Sequence, residues 1–195
     1  MLRVRQRSEP ARLLDDRDRA AAMAVCDQAQ VSNVFVASRI RSLGLEPGRL
    51  GAQIWGFEQN GQLTSLCYAG ANLVPVQASQ AAVPAFAERA LRQGRRCSSL
   101  VGPSAAVAQL WGLLRPHWGP ARDVRAAQPL MAIDGPPEIA PDPAVRRVRS
   151  DEIDILLPAS IAMFTEEVGV SPLSGDGGAA YRARPARTSS LTRAR

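Results

Sequence analysis

Asn60-Gly61 is the feature that most narrows what this chain can fold into. Both residue types tolerate positive φ, which a two-residue hairpin turn requires. Residues 53–58 precede it with weak alternation and carry Ile54, Trp55 and Phe57. Residues 63–69 read as the returning strand, and residues 72–76 as a third short β run. The spacing therefore predicts a three-stranded antiparallel meander.

Helical patterns flank the meander. Residues 11–14 form a short apolar run expected to be a strand, with Asp15 and Asp16 behind it as N-cap candidates. Residues 17–28 are Ala-rich and helical in character. Residues 31–42 place Val34, Phe35, Ile40 and Leu43 at helical spacing, with Gly44 as the stop. Residues 79–93 place Val83, Phe86, Ala87, Ala90 and Leu91 on one face, closed by Gly94. Residues 97–101 read as a strand. A helix opening at Gly102-Pro103-Ser104 carries Val107, Leu110, Trp111 and Leu114, and residues 124–133 read as a final strand interrupted at Pro129. The expected fold class is α/β (α+β): a mixed, mostly antiparallel sheet flanked by helices. Its core should include Phe35, Ile54, Leu66, Phe86, Leu100 and Leu110.

Gly135-Pro136-Pro137, with Pro141 and Pro143, reads as a linker. The pattern then restarts. Residues 145–148 suggest a short strand, and Ser150 or Asp151 caps a helix to about Glu167 with Ile153, Leu156, Leu157, Ile161 and Phe164 inward. The expected organisation is a first domain over 1–134, a linker over 135–144, the start of a second domain over 145–184, and an Arg-rich tail over 185–195.

Composition excludes more than it assigns. Hydrophobic residues make up 46% of the 195, enough for a globular core. Net charge is +6, and every basic residue is Arg. Arg, Ala, Gly and Pro in place of Lys is the signature of a GC-rich gene. The Arg residues are scattered apart from Arg95-Arg96, Arg146-Arg147 and the C-terminus, with no aromatic-interleaved stripe, so nucleic-acid binding is not expected. Cys26, Cys67 and Cys97 lie in apolar stretches without a CxxC pair, and read as buried reduced thiols of a cytoplasmic protein. His117, the sole histidine, reads as structural rather than as half of a Cys–His pair. Trp55, Trp111, Trp118 and Phe86 read as core or core-edge residues. No metal-ligand spacing and no membrane-length apolar run is present.

Three segments match one family in order: Asn33-Val34-Phe35-Val36-Ala37-Ser38-Arg39, the run from Ser65-Leu66-Cys67-Tyr68 through Asn72-Leu73-Val74-Pro75-Val76, and Met163-Phe164-Thr165-Glu166-Glu167-Val168-Gly169-Val170-Ser171-Pro172. From about Arg12 to Arg184 the chain resembles bacterial GNAT N-acetyltransferases that carry an N-terminal GNAT-like domain of unknown function before the catalytic one. The element order agrees. The resemblance implies acetyl-CoA as co-substrate, a small-molecule or other amine as acceptor, and a glycine-containing loop whose amides cradle the pyrophosphate. The corresponding loop here reads Gln77-Ala78-Ser79-Gln80-Ala81-Ala82. Gln77 and Ala82 fit the ends of the pattern, but Gln80 stands where glycine is expected, so a degenerate site is expected.

In the second domain the resemblance places Thr165, Glu166 and Glu167 beside the acceptor pocket, where a carboxylate can bind the amine or take its proton. The bland alternative is a solvated acidic helix end. The cofactor loop of that domain is expected beyond Arg195, which makes the chain an incomplete enzyme with no catalytic residue to assign. Ser174-Gly175-Asp176-Gly177-Gly178 reads as a flexible connection. The tail from Pro185 reads as a basic interaction tail or an out-of-frame end.

Overall fold

The computed structural model describes residues 11–146, 148–169, 171 and 173. The expectations for the charged N-terminus, the Gly-rich connection at 174–178, the helix start at Tyr181 and the tail from Pro185 lie outside the described residues. The chain divides into two compact units, Met1–Ile133 and Asp134–Arg195.

The first unit is built on the meander. β2 (Gln53–Gln59) and β3 (Gln62–Ala69) pair antiparallel, with Ile54 opposite Tyr68 and Gln59 opposite Gln62. Asn60 and Gly61 have φ of 54° and 75°, the two left-handed residues of a primed hairpin turn. A register shift falls between Phe57 and Glu58. β4 (Asn72–Val76) returns antiparallel to β3. β1 (Arg12–Leu13) adds antiparallel to β2, and β5 (Ser99–Leu100) adds parallel to β4, giving the order β1-β2-β3-β4-β5. The class is mixed α+β with a mostly antiparallel five-stranded sheet flanked by helices.

Strand side chains alternate between two cores. Ile54, Leu66, Tyr68, Val74 and Val76 join a cluster with Val25, Cys26, Val36, Ala37 and Ile40 from α1 (Arg19–Asp27) and α2 (Gln30–Leu43). Trp55, Phe57, Cys67 and Leu73 join Val83, Phe86, Ala90, Leu110 and Leu114 from α4 (Ala82–Gln93) and α5 (Ser104–Trp118). The short α3 (Pro47–Leu50) adds Leu50 to the first cluster. Burial on both faces explains why the β runs alternate only weakly. Of the six expected core residues, Ile54, Leu66, Phe86 and Leu110 are wholly buried, while Phe35 and Leu100 are half-buried. At the open end of β1, Arg12 bridges Asp18 and Glu58, each at 2.7 Å. Asp15 caps the 3-10 turn Asp16–Asp18 by accepting from the Arg17 amide.

Several sequence expectations need correction. The inward face of α2 is Asn33, Val36, Ala37 and Ile40, while Val34 is 61% exposed. Asn33 is buried with its side-chain amide donating to the Cys26 carbonyl at 3.0 Å, which satisfies it inside the core. α4 begins at Ala82, not Ser79, because Ser79 turns to cap it. On α5, Leu110 and Leu114 are buried with Ala106, but Val107 and Trp111 are half-buried. Residues 124–133 form no strand, and Val124, Leu130, Met131 and Ile133 are exposed.

In the second unit no strand occurs at the described residues of 145–148. An apolar run becomes a strand only when another strand takes its hydrogen bonds, which local sequence does not reveal. The helical part is a 3-10 turn, Ser150–Glu152, continuing into α6 (Ile153–Val168). Neither Ser150 nor Asp151 supplies the cap. Glu152 stands at the N-cap position of α6, and its carboxylate reaches back to accept from the Arg149 amide at 2.8 Å while the Arg146 guanidinium grips the same group. These two contacts, Arg146 first, hold the Glu152 carboxyl down to about 2. Ile153, Leu156, Leu157, Ile161 and Phe164 are the less exposed side of α6, with Leu157 buried.

Candidate functional site

The loop after β4 is the first place to test. Val76 is buried, and Gln77 then turns the chain with φ of 47°. Ser65, wholly buried on β3, donates its hydroxyl to the Gln77 carbonyl at 2.7 Å and accepts from the Ser79 amide at 3.3 Å. The Ser79 carbonyl accepts from the amides of Ala82 and Val83 at 3.0 and 3.1 Å, and its hydroxyl accepts from Ala82 at 3.1 Å. Gln109 on α5 reaches the Gln80 carbonyl at 3.3 Å. Gln77, Gln80 and Ala82 are thus gathered into one turn at the start of α4. Its Ser79, Ala82 and Val83 amides are bonded to the chain itself. An anion-binding helix N-terminus offers its amides outward, and here three are spent internally.

β4 and β5 stay paired only at Asn72–Ser99 and Leu73–Leu100. The Val101 amide still reaches the Leu73 carbonyl at 3.1 Å. Alternate residues of a strand face the same edge, so Pro75 turns its nitrogen toward the side where β5 ends, where a missing N–H breaks no ladder.

A second place lies at the other end of β4 and α4, roughly 15 Å away at about 3.3 Å per strand residue. A cavity of about 440 Å³ is lined by Gln53, Trp55, Gln93, Arg96, Cys97 and Trp118, among others. Gln53 Oε1 accepts from Trp55 Nε1 at 2.8 Å and from Gln93 Nε2 at 2.9 Å, tying β2 to α4. The Arg89 guanidinium lies 5.6 Å from the Trp55 ring centre and donates to the Ala11 carbonyl at 3.0 Å. Burial lowers its pKa. Among the described residues no Asp, Glu or His side chain lines this cavity, and its lining offers hydrogen bonds and aromatic surface rather than a carboxylate or imidazole for acid–base chemistry.

The cysteines are packed groups. Burial holds the Cys26 thiol up at about 11, and raises Cys67 and Cys97 above their ordinary value. A protonated thiol is a poor nucleophile. With a disulfide reagent at neutral pH, half-buried Cys97 should label first and slowly, and Cys26 and Cys67 only as the chain unfolds. Labelling of Cys67 within minutes in the native state would contradict this packing. Trp111 and Trp118 lie half-buried against the second core, beside fully enclosed Trp55 and Phe86. Among the described residues no hydrogen bond joins His117 to a cysteine, and no group of three His, Cys, Asp or Glu is placed to hold a metal ion.

Thr165, Glu166 and Glu167 share the last turn of α6. The Thr165 hydroxyl donates back to the Ile161 carbonyl at 2.8 Å, while Glu166 and Glu167 are exposed. They belong to the second unit and the loop at 77–82 to the first. Sequence reasoning missed Ser65, although a small polar residue inside an apolar strand run was a visible signal. It also missed the Gln53–Gln93 bond, for which two distant glutamines offer no signal.

Fold and site together define an α+β unit with a sheet buried on both faces and a self-closed turn at the helix that follows β4. Residues 52–156 match the family described as Domain of unknown function (DUF4081), more than half of the chain, and the chain belongs to that family. Comparison with curated proteins and with solved structures finds no match. No described helix is long and apolar enough to cross a membrane.

Proposed function

We propose that residues 12–118 are a GNAT-like module of an acetyl-CoA-dependent N-acetyltransferase, a module that does not itself hold acetyl-CoA. Support comes from the element order: a strand, a 3-10 turn, two helices and the short α3, a three-stranded meander, a helix, a parallel strand and a helix. The observation that carries the second half is the turn at 77–82. Its Ser79 amide is bonded to Ser65 and its Ala82 amide to Ser79, and Gln80 adds a side chain where a phosphate cradle needs close backbone approach. These residues do not fit the pyrophosphate, and no chemical step is assigned to this unit. Its role is non-enzymatic, as a ligand-binding or regulatory partner to catalysis. By the same reading, Thr165, Glu166 and Glu167 border the acceptor-amine pocket of the catalytic unit, where a carboxylate accepts the ammonium proton.

Titration calorimetry with acetyl-CoA tests the reading. Expected is no binding tighter than roughly the millimolar range, about 4 kcal/mol, and no turnover. Gln80→Gly should strengthen binding if crowding is the obstacle. Micromolar binding untouched by Gln80→Gly would place the cofactor elsewhere and sink the proposal.

A further inference from the structure

α4 ends at Gly94, whose φ of 73° turns the chain out of the helix into Arg95, Arg96 and Cys97. That segment is pinned at once to the sheet. The Ser98 amide and hydroxyl both donate to the Ala71 carbonyl, at 2.8 and 3.1 Å, and the Ser99 hydroxyl donates to Asn72 Oδ1 at 2.8 Å. On the opposite side Gln53 ties β2 to α4 through Gln93. The cavity of about 440 Å³ is therefore framed by the protein's own hydrogen bonds, and its size falls within the roughly 300–1,000 Å³ of small-molecule sites.

The groups that face it are donors and rings. Arg96 lines it, and Arg95 lines a second hollow of about 400 Å³ that shares Gly94 and Trp118 with the first. Among the described residues no Asp or Glu lines either hollow. Arg92, three residues earlier, is paired with Glu88, whereas Arg95 and Arg96 have neither a carboxylate nor a carbonyl partner among the described residues. Gln53 Oε1 is used twice, by Trp55 Nε1 and by Gln93 Nε2, which leaves the Gln53 Nε2 donors unpaired among the described residues. Trp118 is half-buried and lines both hollows.

We propose that this cavity binds a small organic anion with a flat apolar body, its oxyanion held by Arg96 and its ring by Trp118, with the Gln53 amide as a further donor. The charge selects an anion, because a cationic ligand would meet Arg96 and Arg95 with no carboxylate to offset them. A guanidinium grips an oxyanion through paired N–H donors, and an indole supplies a large rigid face for a ring. The inference goes beyond the acetyl-CoA reading and does not rest on it, since the turn at 77–82 lies at the other end of β4.

The test is proton–nitrogen correlation NMR of the full chain, titrated with phenylacetate, phenyl phosphate and neutral phenylacetamide. Expected is that at least one of the two anions binds with a Kd of about 1 mM or tighter. Binding should move the Trp55 and Trp118 indole N–H signals and spare that of Trp111, which lines neither hollow. The tighter of the two anions tells whether carboxylate or phosphate is preferred. Arg96→Gln should weaken that anion at least about tenfold. The rest of the spectrum should stay in place, because Arg96 is exposed. Phenylacetamide should bind more weakly than phenylacetate and be indifferent to Arg96→Gln. No shift with either anion up to about 10 mM, shifts centred away from Trp55 and Trp118, affinity that survives Arg96→Gln, or an amide that binds as tightly as the anion would each overturn the proposal. None of these outcomes bears on the acetyl-CoA titration, because no probe carries a pyrophosphate.

Discussion

Phe86→Ala should destabilise the first unit by about 3–5 kcal/mol, the range for removing a large buried aromatic side chain. Phe86 is wholly buried, and it sits in the cluster that joins α4 and α5 to the sheet through Trp55, Leu73, Leu110 and Leu114. The hole left behind is walled by strands on one side and a second helix on the other, so it has little room to collapse. A loss of that size is a large share of the roughly 5–15 kcal/mol that holds a domain together. Urea unfolding followed by tryptophan fluorescence measures it, since Trp55 and Trp118 report on the same cluster. The control is Val34→Ala. Val34 is 61% exposed on α2, and the change should stay within about 0.5 kcal/mol. If the Val34 change proved as costly as the Phe86 change, the orientation of α2 given above would be wrong.

Gly44→Ala should cost about 2–5 kcal/mol, far more than its single added methyl suggests. Gly44 ends α2 with φ of 74° and ψ of −161°, a region open in practice only to glycine. A Cβ built there lies 2.6 Å from Asp16 Oδ1, the same oxygen that accepts from the Leu45 amide at 2.6 Å. The substitution therefore adds backbone strain and displaces a carboxylate from a buried amide, since Leu45 is wholly enclosed. A double-mutant cycle separates the two effects. With Asp16→Ala already present, Gly44→Ala should cost only the backbone share, about 1–3 kcal/mol. Strict additivity of the two substitutions would show that Asp16 does not meet the new methyl.

The Asp16 contact also shows where sequence reading stops. Asp16 was visible as a capping candidate for the helix that follows it, and its neighbour Asp15 caps that turn. Nothing in the chain tells that the Asp16 carboxylate instead closes a gap 29 residues onward. The loop at 77–82 divides in the same way. That Gln80 stands where a cradle glycine is expected could be read directly. That Ser65 of β3 and Gln109 of α5 close the turn from two other elements could not, because those bonds join residues that only the fold brings together.

By itself the sequence determined the meander and the C-terminal ends of α2 and α4. Asn60-Gly61, Gly44 and Gly94 act through backbone conformations that belong to one or two residues, and such preferences survive in any context. Tertiary structure decided which side of α2 faces the core: Val36, Ala37 and Ile40 pack into the cluster with α1 and the sheet, Asn33 joins them with its amide bonded to the Cys26 carbonyl, and Val34 is left exposed. It also decided that residues 124–133 form no strand despite their apolar run. Helical hydrogen bonds close within a segment, whereas a strand exists only where another strand lies alongside to receive its bonds.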